Sequence, residues 1–359
     1  MGTRHFRRWL FAPVVLSMAS TVFVPTTGAW AGVAHVVSGE FDAPSGLAVS
    51  GTHLWVTNAA NSSVTEIDPS SGAWMGTFRS PAYGFWHPVA ITAVAGDLFV
   101  ANANNTVTEL SAVNGALVRR LTSPSYRFAR PVAITSIGGD VLVLNAGPSG
   151  SITEFSADTG AYLLNIRGAA YALDQPAAVA TAHSRIYVAD KANNSLTEID
   201  ARTGKLVRVI ANQGLSAPDG VAVGGGSVWV ADQATSGVTQ IDEASGRVVT
   251  TKTDANASYG FWHPTLMIST GPNIYVATPL GTSPMVTKVS TASAKPYWFM
   301  CNTNGPYYFS VLSAFAITGN DLWVASQTGA NSKTPGAAHG ALTELQLGSG
   351  ALVRTLPTH

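Results

Sequence analysis

Charged residues and cysteines are both scarce in this chain of 359 residues. Only 11% of the residues are charged, 20 basic residues balance 20 acidic ones, and Cys301 is the only cysteine. A single cysteine excludes a disulfide within the chain. The balanced charge provides no basic field, so no nucleic-acid partner is expected. Hydrophobic residues make up 46% of the chain, which predicts a globular protein with a large core.

The sequence also lacks the common signatures of catalytic sites. It contains no HExxH or HxH pattern, no cluster of carboxylates, and no GxSxG motif around a serine. Such patterns are typical of metal sites and of activated serine nucleophiles. The residues therefore indicate no metal site, require no cofactor and name no reaction.

The first 31 residues differ in composition from the rest. Three arginines, including the Arg7–Arg8 pair, precede an apolar stretch that starts at Trp9 and runs on to Val24, the small-x-small sequence Ala29-Trp30-Ala31 follows, and this segment has no acidic residue. The order predicts a secretory signal, residues 1–31, cleaved after Ala31, and the arginine pair also suits the twin-arginine route. A membrane anchor is the alternative, but Pro13 and the short apolar stretch argue against it. We expect an exported protein with no membrane span once the signal is removed.

Almost all of the remaining chain consists of seven copies of one motif. Each copy starts at an anchor residue, and successive anchors are 42–48 residues apart. The anchors are Pro44, Pro88, Pro131, Pro176, Pro218, Pro264 and Leu312. A polar residue lies 14 positions after each anchor, namely Asn58, Asn102, Asn145, Asp190, Asp232, Thr278 and Ser326. Repeats of this length are typical of solenoids and propellers.

Each copy predicts four short β-strands and no helix. Apolar and polar residues alternate with a period of two, as in LFVAN and TVTEL of the second copy, and Gly, Asn, Asp or Ser separates the stretches. Four strands in about 44 residues make one propeller blade. The sequence therefore predicts an all-β domain over residues 32–359, a single seven-bladed β-propeller of four-stranded antiparallel blades. A β-solenoid has shorter repeats and an open sandwich does not repeat, so both are less favoured.

Closure of the ring leaves one predicted strand over. Residues 33–38 resemble an outer strand before the first anchor, but the seventh copy already ends in its own outer strand at 350–356. The amino-terminal strand could join the last blade as a clasp or lie across the rim, and the sequence favours neither.

Several copies carry a recognisable sequence pattern. LWVTNAANSSVTEIDPSSG at 54–72, LFVANANNTVTELSAVNG at 98–115 and IYVADKANNSLTEIDARTG at 186–204 resemble YVTN-type propeller repeats, which are related to NHL repeats and to the streptogramin-lyase-like propellers. The resemblance covers roughly residues 42–356 and implies the propeller fold. It implies no single function, because such propellers include binding proteins, sensors and some enzymes. The streptogramin-lyase-like relatives imply a metal-assisted elimination, but no residue here can be matched to their catalytic set.

Positions that recur in every copy are expected to serve the architecture. A large apolar residue three positions before each anchor predicts packing between blades, at Phe41, Phe85, Phe128, Leu173, Leu215, Phe261 and Phe309. The Asn and Asp residues 14 positions after the anchors are predicted to be structural turn residues, because they bond nearby backbone and tolerate left-handed geometry. A tyrosine stands five positions before five anchors, at Tyr83, Tyr126, Tyr171, Tyr259 and Tyr307. Its hydroxyl could bond a neighbouring blade or a ligand, and the structural role is favoured.

Function is expected where the copies differ, above all in the residue before each anchor. These residues are Ala43, His87, Arg130, Gln175, Ala217, His263 and Val311, and they are predicted to stand at the entrance of the central funnel. Two copies, four blades apart, share the hexapeptide YGFWHP at 83–88 and 259–264, which predicts two Trp–His pairs nearly opposite each other. The predicted ligand-binding residues are Tyr83, Trp86, His87, Arg130, Gln175, Tyr259, Trp262 and His263. The duplicated hexapeptide could also record recent copying of a repeat, with each histidine bonding only a neighbouring carbonyl.

Two functional hypotheses follow from this site. In the first, the protein is a secreted, monomeric binding module whose funnel and loops hold a small molecule, a glycan or a protein. In the second, the funnel mouth is the active site of a lyase or hydrolase, with His87 or His263 as general base and Arg130 stabilising negative charge. A divalent metal would be needed only for a lyase of the streptogramin-lyase-like kind. The sequence does not decide between the two.

Overall fold

The structure, a computed structural model, describes residues 41–122, 124–253, 260–279, 284–301, 309, 311–327 and 340–357. The predicted signal at 1–31, the predicted strand at 33–38, and Tyr259 and Tyr307 lie outside these residues. What the sequence predicts for them stays a prediction. The described residues all belong to one compact unit, Ala34–His359.

The described strands form seven sheets, here called blades 1 to 7, each built from four consecutive strands. Blade 1 consists of β1 Pro44–Ser50, β2 His53–Asn58, β3 Ser63–Asp68 and β4 Ala73–Phe78, and blade 2 of β5 Pro88–Val94, β6 Asp97–Asn102, β7 Thr106–Ser111 and β8 Leu117–Leu121. Blade 3 consists of β9 Pro131–Ile137, β10 Asp140–Asn145, β11 Ser151–Ser156 and β12 Tyr162–Ile166. Blade 4 consists of β13 Pro176–Ala182, β14 Arg185–Asp190, β15 Ser195–Asp200 and β16 Leu206–Ala211. Blade 5 consists of β17 Pro218–Gly224, β18 Ser227–Asp232, β19 Gly237–Asp242 and β20 Val248–Thr253. Blade 6 consists of β21 Leu266–Thr270, β22 Asn273–Thr278, β23 Met285–Ser290 and β24 Pro296–Cys301. Blade 7 consists of β25 Val311–Thr318, β26 Asp321–Gln327, β27 Ala341–Gln346 and β28 Leu352–Pro357.

The first strands of neighbouring blades contact each other around a closed ring. Strand β1 contacts β5, and the contacts continue through β9, β13, β17, β21 and β25 back to β1. Within a blade, neighbouring strands pair antiparallel, as β1 does with β2 and β27 with β28. The prediction of a seven-bladed propeller with four-stranded antiparallel blades is therefore confirmed.

Among the described residues, blades 7 and 1 share no strand. Blade 7 is complete with β25–β28, so its four-stranded sheet does not require residues 33–38. Two hydrogen bonds cross this boundary: Ser313 Oγ donates to Pro44 O at 2.5 Å, and Arg354 Nη2 donates to Ser70 O at 3.0 Å. These contacts join the two ends of the repeat array directly.

The apolar core lies between the blades. Because strand residues alternate between the two faces of a sheet, each blade presents apolar side chains to both neighbours. One buried cluster joins Trp55 of blade 1 to Leu98 of blade 2 through Phe85, and each of the other six boundaries has a cluster of the same kind. The large residues three positions before the anchors are buried in six copies, and Phe128 is half-buried, which confirms their predicted packing role.

The Asn and Asp residues 14 positions after the anchors hold the chain where it enters each first strand. Asn58 Oδ1 accepts a hydrogen bond from the backbone N–H of Asp42 at 3.2 Å, and Asp190 Oδ2 accepts one from Asp174 at 2.7 Å. Blades 2, 3 and 5 have the same bond. The structural role is confirmed, but the predicted geometry is wrong. These residues end the second strands without a left-handed backbone and act through their buried side chains.

Helical structure in the described residues is confined to short 3-10 turns. They span Pro81–Tyr83, Pro124–Tyr126 and Ala169–Tyr171 and lead into blades 2, 3 and 4. Within the described ranges, none of the helices is long and apolar enough to cross a membrane.

Candidate functional site

The predicted site residues belong to one end of the ring, here called the mouth face. It comprises the connections that lead into the first strands and the turns between second and third strands. The two share one end because each second strand finishes opposite the anchor, as Asn58 does opposite Pro44. Those predicted residues that the structure describes therefore share a face.

The residue before the anchor has a left-handed backbone in five blades. Its φ is 51° at Ala43, 42° at His87, 54° at Arg130, 48° at Ala217 and 52° at His263. A side chain in this region costs free energy, and such residues often cluster at functional sites. Because two of the five are alanines, the conformation belongs to the repeat and does not by itself identify a site.

The preceding blade holds these left-handed residues in place. The backbone N–H of His87 donates to Ser62 Oγ at 3.2 Å, and that of Arg130 donates to Asn105 Oδ1 at 2.6 Å. The same link occurs before blades 5 and 6. The four acceptors end the turns between second and third strands, at Ser62, Asn105, Asn194 and Ser236. Sequence reasoning missed this link, although a Ser or Asn as the last residue of these turns was a visible signal.

The two Trp–His pairs present similar surfaces. Trp86 is 58% exposed and Trp262 is 55% exposed. Each indole meets the imidazole of the next residue edge-on, with ring centroids 5.7 Å apart at Trp86–His87 and 5.5 Å apart at Trp262–His263. Tryptophans on a fixed backbone lose little conformational entropy on binding and supply a large contact area.

The two pairs occupy different sectors of the mouth face. Trp86–His87 leads into blade 2 and Trp262–His263 into blade 6, so three blades separate them on one side and two on the other. No hydrogen bond or ring contact joins the pairs within the described ranges. The structure therefore brings together each tryptophan with its own histidine, but not the two pairs with each other.

The histidines differ in their hydrogen bonding. His263 Nδ1 lies 3.0 Å from Gln233 O, a carbonyl that can only accept, so Nδ1 carries the proton. In the neutral ring, Nε2 is then the basic nitrogen. The imidazole of His87 has no such partner among the residues that the structure describes. Of the two, His263 is better suited to accept a proton.

Arg130 and Gln175 lie together in a cleft between blades 3 and 4. The cleft has a volume of 490 Å³, and Asn105, Pro148 and Asp174 also line it. The exposed guanidinium of Arg130 has no ion pair or hydrogen bond to any described residue. It is therefore available to an acidic group of a partner. Neither Trp–His pair lines this cleft.

The tyrosines before the anchors serve the blades. The Tyr83 hydroxyl donates to Gly115 O at 3.0 Å, and its ring stacks on Phe85 at a centroid distance of 5.1 Å. Burial raises the pKa of Tyr83, which keeps the hydroxyl protonated as a donor. Tyr126 and Tyr171 make the same bond in blades 3 and 4. Tyr83 is only 5% exposed and its hydroxyl is used within the protein, so its predicted contact with a ligand is wrong.

Other charged groups near the mouth include an ion pair and a buried carboxylate. Lys191 Nζ lies 2.7 Å from Asp219 Oδ2 across the boundary between blades 4 and 5. Burial raises the pKa of Asp232, at the end of β18, to about 6. Throughout the described residues, no group of three or more His, Cys, Asp or Glu side chains could hold a metal ion.

Residues 23–252 match the family model described as outer membrane protein assembly factor BamB. The chain belongs to this family. No curated protein matches the sequence. As a BamB-family propeller, the protein is of a type that serves interaction or catalysis, which agrees with the coarse form of the functional prediction.

Solved structures share the fold of this BamB-family chain. BamB from Moraxella catarrhalis aligns with a TM-score of 0.55 and 16% identity, over 86% of this chain and 85% of that one. Streptogramin B lyase aligns with a TM-score of 0.63 and 16% identity, over 81% and 93%. The computationally designed Ika8 protein aligns with a TM-score of 0.61 and 14% identity, over 90% of both chains. At these identities the likeness concerns the fold alone, and at that level the predicted likeness to streptogramin-lyase-like propellers is confirmed.

Proposed function

We propose that this protein is an exported binding module that holds a protein partner against its mouth face. Residues 1–31 would direct export, and residues 32–359 would form the one propeller domain. The observation that carries the proposal is a pair of tryptophans, each more than half exposed, at equivalent positions of one face. Aromatic side chains and arginine supply much of the binding energy in protein interfaces. The proposed contacts are Trp86, His87, Arg130, Gln175, Trp262 and His263.

Two further observations support a protein partner outside the cytoplasm. The family description names a factor in the assembly of outer membrane proteins, and such a factor acts on proteins. The arginines and apolar stretch of residues 1–31 favour export. A small molecule or a glycan is the less favoured partner.

Site-specific photo-cross-linking in the native cells tests the proposal. A photoreactive amino acid replaces Gln175 on the mouth face or, as a control, Met75, a 51% exposed residue of the outer strand of blade 1. We expect a defined protein to be cross-linked from position 175 and not from position 75. The double variant Trp86→Ala/Trp262→Ala should lose this product, because it removes both aromatic contacts.

Two results would count against a protein partner at the mouth. One is the same cross-linked protein from both positions. The other is a product from position 175 that the tryptophan double variant leaves unchanged. Binding of purified protein to a glycan, lost in the same double variant, would keep the site and replace the class of partner.

Catalysis at the mouth face is the second candidate, favoured by the hydrogen bond that fixes His263. With Nδ1 bound to Gln233 O, Nε2 can take a proton from a substrate. Arg130 lines a separate cleft, so we assign it no role beside His263. Among the described residues, no set of three His, Cys, Asp or Glu side chains could hold a divalent metal.

Streptogramin B is the substrate to try, because the lyase named for it shares the fold. Mass spectrometry would follow its conversion by wild type, His263→Gln and His87→Gln, with and without a divalent cation. Catalysis by His263 requires that only His263→Gln loses the activity. An unchanged substrate with wild type rules out this reaction.

A further inference from the structure

A second cleft lies at the end of the ring opposite the mouth face. It has a volume of 510 Å³ and lies between blades 4 and 5, next to the turns that follow their first and third strands. We call it the blade 4/5 cleft. Its polar lining residues are His183, Arg185, Tyr187, Glu198, Arg208 and Glu243.

The seven copies serve as an internal alignment, and His183 departs from it. It follows the first strand directly, at a position where the backbone is left-handed in all seven blades. The other six copies have little or no side chain there, at Gly51, Ala95, Gly138, Gly225, Gly271 and Gly319. His183 keeps this conformation, with a φ of 46°. A side chain at a position that suits glycine costs free energy, so the imidazole is expected to have a use.

Glu243 departs from the copies as well, and it meets His183 across the blade boundary. The equivalent residues after the other third strands are Pro69, Ala112, Ala157, Ala201, Thr291 and Leu347. Glu243 Oε1 lies 2.9 Å from His183 Nδ1 and accepts a hydrogen bond from the Tyr187 hydroxyl at 3.2 Å. Since Nδ1 is engaged, the open nitrogen of this 76% exposed imidazole is Nε2.

The side chain of Arg185 lines the same cleft as this pair. Arg185 Nε donates to Glu198 Oε1 at 3.0 Å, and its Nη1 donates to Asp200 Oδ2 at 2.9 Å. Arg208 Nε donates to the other oxygen of Glu198. The third nitrogen of Arg185, Nη2, has no partner among the described residues, and the side chain is one-third exposed. The cleft therefore pairs its carboxylates internally and leaves two donors open, on Arg185 and, when protonated, on His183.

We propose that the blade 4/5 cleft binds a small oxyanion, the carboxylate or phosphate group of a ligand, between His183 Nε2 and Arg185 Nη2. A bound anion favours the imidazolium form, in which Nδ1 donates to Glu243 and Nε2 donates to the anion. The planar guanidinium suits either group, because both present oxygens as acceptors side by side. The mouth face takes no part, so this site and the proposed function are tested independently.

Titration with inorganic phosphate and with acetate tests the site. Binding would be followed by the backbone amide NMR signals of Gly226 and Ala244, which line the cleft, at constant ionic strength. Wild type should show saturable shifts of both signals. His183→Gly and Arg185→Ser each remove one charge-assisted contact and should weaken binding about tenfold or more. Preference for phosphate or for acetate identifies the group.

Both variants introduce a residue that another copy of the repeat already has at the same position. Five other copies have glycine at the position of His183, and blade 5 has Ser227 at that of Arg185, so both variants should fold, as a thermal melt would verify. Arg79→Ser, which removes an exposed guanidinium after the last strand of blade 1, is the control and should bind like wild type. Shifts that do not saturate, or that persist unchanged in both variants, would overturn the proposal.

Discussion

At the scale of single residues, the left-handed backbone of the residue before the anchor should lower the free energy of unfolding. Ala217 has a φ of 48°, and its N–H donates to Asn194 Oδ1 at 2.8 Å. An L-residue loses roughly 1–2 kcal/mol in this conformation, and glycine avoids that loss but gives up about 0.5–1 kcal/mol to the greater entropy of its unfolded chain. We expect Ala217→Gly to raise the free energy of unfolding by about 0.5–1 kcal/mol in denaturant titrations.

Ala222→Gly is the matched control for this prediction. Ala222 lies in β17 and is buried, with an extended rather than left-handed backbone. Glycine there gains no relief of strain and should lower the free energy of unfolding. If both variants change stability in the same direction, left-handed strain is not what distinguishes Ala217.

Glu154 makes stability depend on pH. Burial, reinforced by the charge of Asp140, raises the pKa of Glu154 from its usual 4.5 to about 7. The folded state then holds this proton at pH values at which the unfolded chain has lost it. Its contribution is therefore complete below pH 4.5 and is lost as the pH rises to about 7. We expect Glu154→Gln to be more stable than wild type at pH 8, by on the order of 2–3 kcal/mol, and equal to it at pH 4.5.

Thermal melts of Glu198→Gln at the same two pH values are the control for this prediction. Glu198 is equivalent to Glu154 in the next blade, but it lies between two guanidinium groups, those of Arg185 and Arg208. Removing its charge takes the buried carboxylate away from both guanidinium groups, so the variant should be less stable than wild type at pH 8. A Glu154→Gln variant that gains nothing at pH 8 would contradict the account of Glu154.

At the scale of elements, an arginine of the outer strand ties several blades to the next. Arg119 Nη2 donates to Asp158 O of blade 3 at 2.7 Å, and Arg354 Nη2 of blade 7 donates to Ser70 O of blade 1. Each arginine also pairs with a buried glutamate of its own third strand, as Arg354 does with Glu344 at 2.5 Å. The same arginine contact therefore joins consecutive blades and also joins blade 7 to blade 1.

Arg354→Thr should weaken the boundary between blades 7 and 1. The variant loses the bond to Ser70 and leaves Glu344 buried without its cation, which should cost about 3 kcal/mol of unfolding free energy. Blade 5 shows how to repair the loss, because it has the neutral pair Gln240 and Thr250 at these two positions. We expect Arg354→Thr/Glu344→Gln to regain most of the stability in denaturant titrations. A double variant no better than the single one would show that the buried charge is not the cause.

The elements themselves were largely predictable from sequence, and the links between them were not. Five first strands begin at the predicted proline, and the other two begin within two residues of the predicted anchor. The period of two and the anchors suffice for this, because both are properties of one copy. The bond from His87 to Ser62 joins two copies, so it depends on how far neighbouring blades turn relative to each other. The spacing of residues along the chain carries no information about the angle between neighbouring blades.

At the scale of the whole molecule, sequence reasoning placed the candidate residues on one face but could not say which of them meet. Arg130 and Gln175 share a cleft because their blades are neighbours. The two Trp–His pairs share only the face. Whether side chains can meet across the ring depends on its radius and on the directions of the side chains, and the sequence pattern specifies neither. The sequence does carry a signal for His183. Five copies have glycine and one has alanine at its position, so the histidine of blade 4 departs from the repeat pattern.

Truncation of the chain at either end tests which residues close the ring. Blade 1 meets blade 7 through a buried cluster that includes Phe41 and Trp323, and through the bond from Ser313 to Pro44. These contacts use only residues from Phe41 onward, so a chain that starts at residue 39 should melt at the same temperature as one that starts at residue 32. A chain that ends at residue 350 lacks β28 and with it Arg354, and its melting temperature should fall by about 5 °C or more. If instead the shorter amino terminus lowers the melting temperature as much, residues 33–38 act as the clasp and the blades do not close the ring alone.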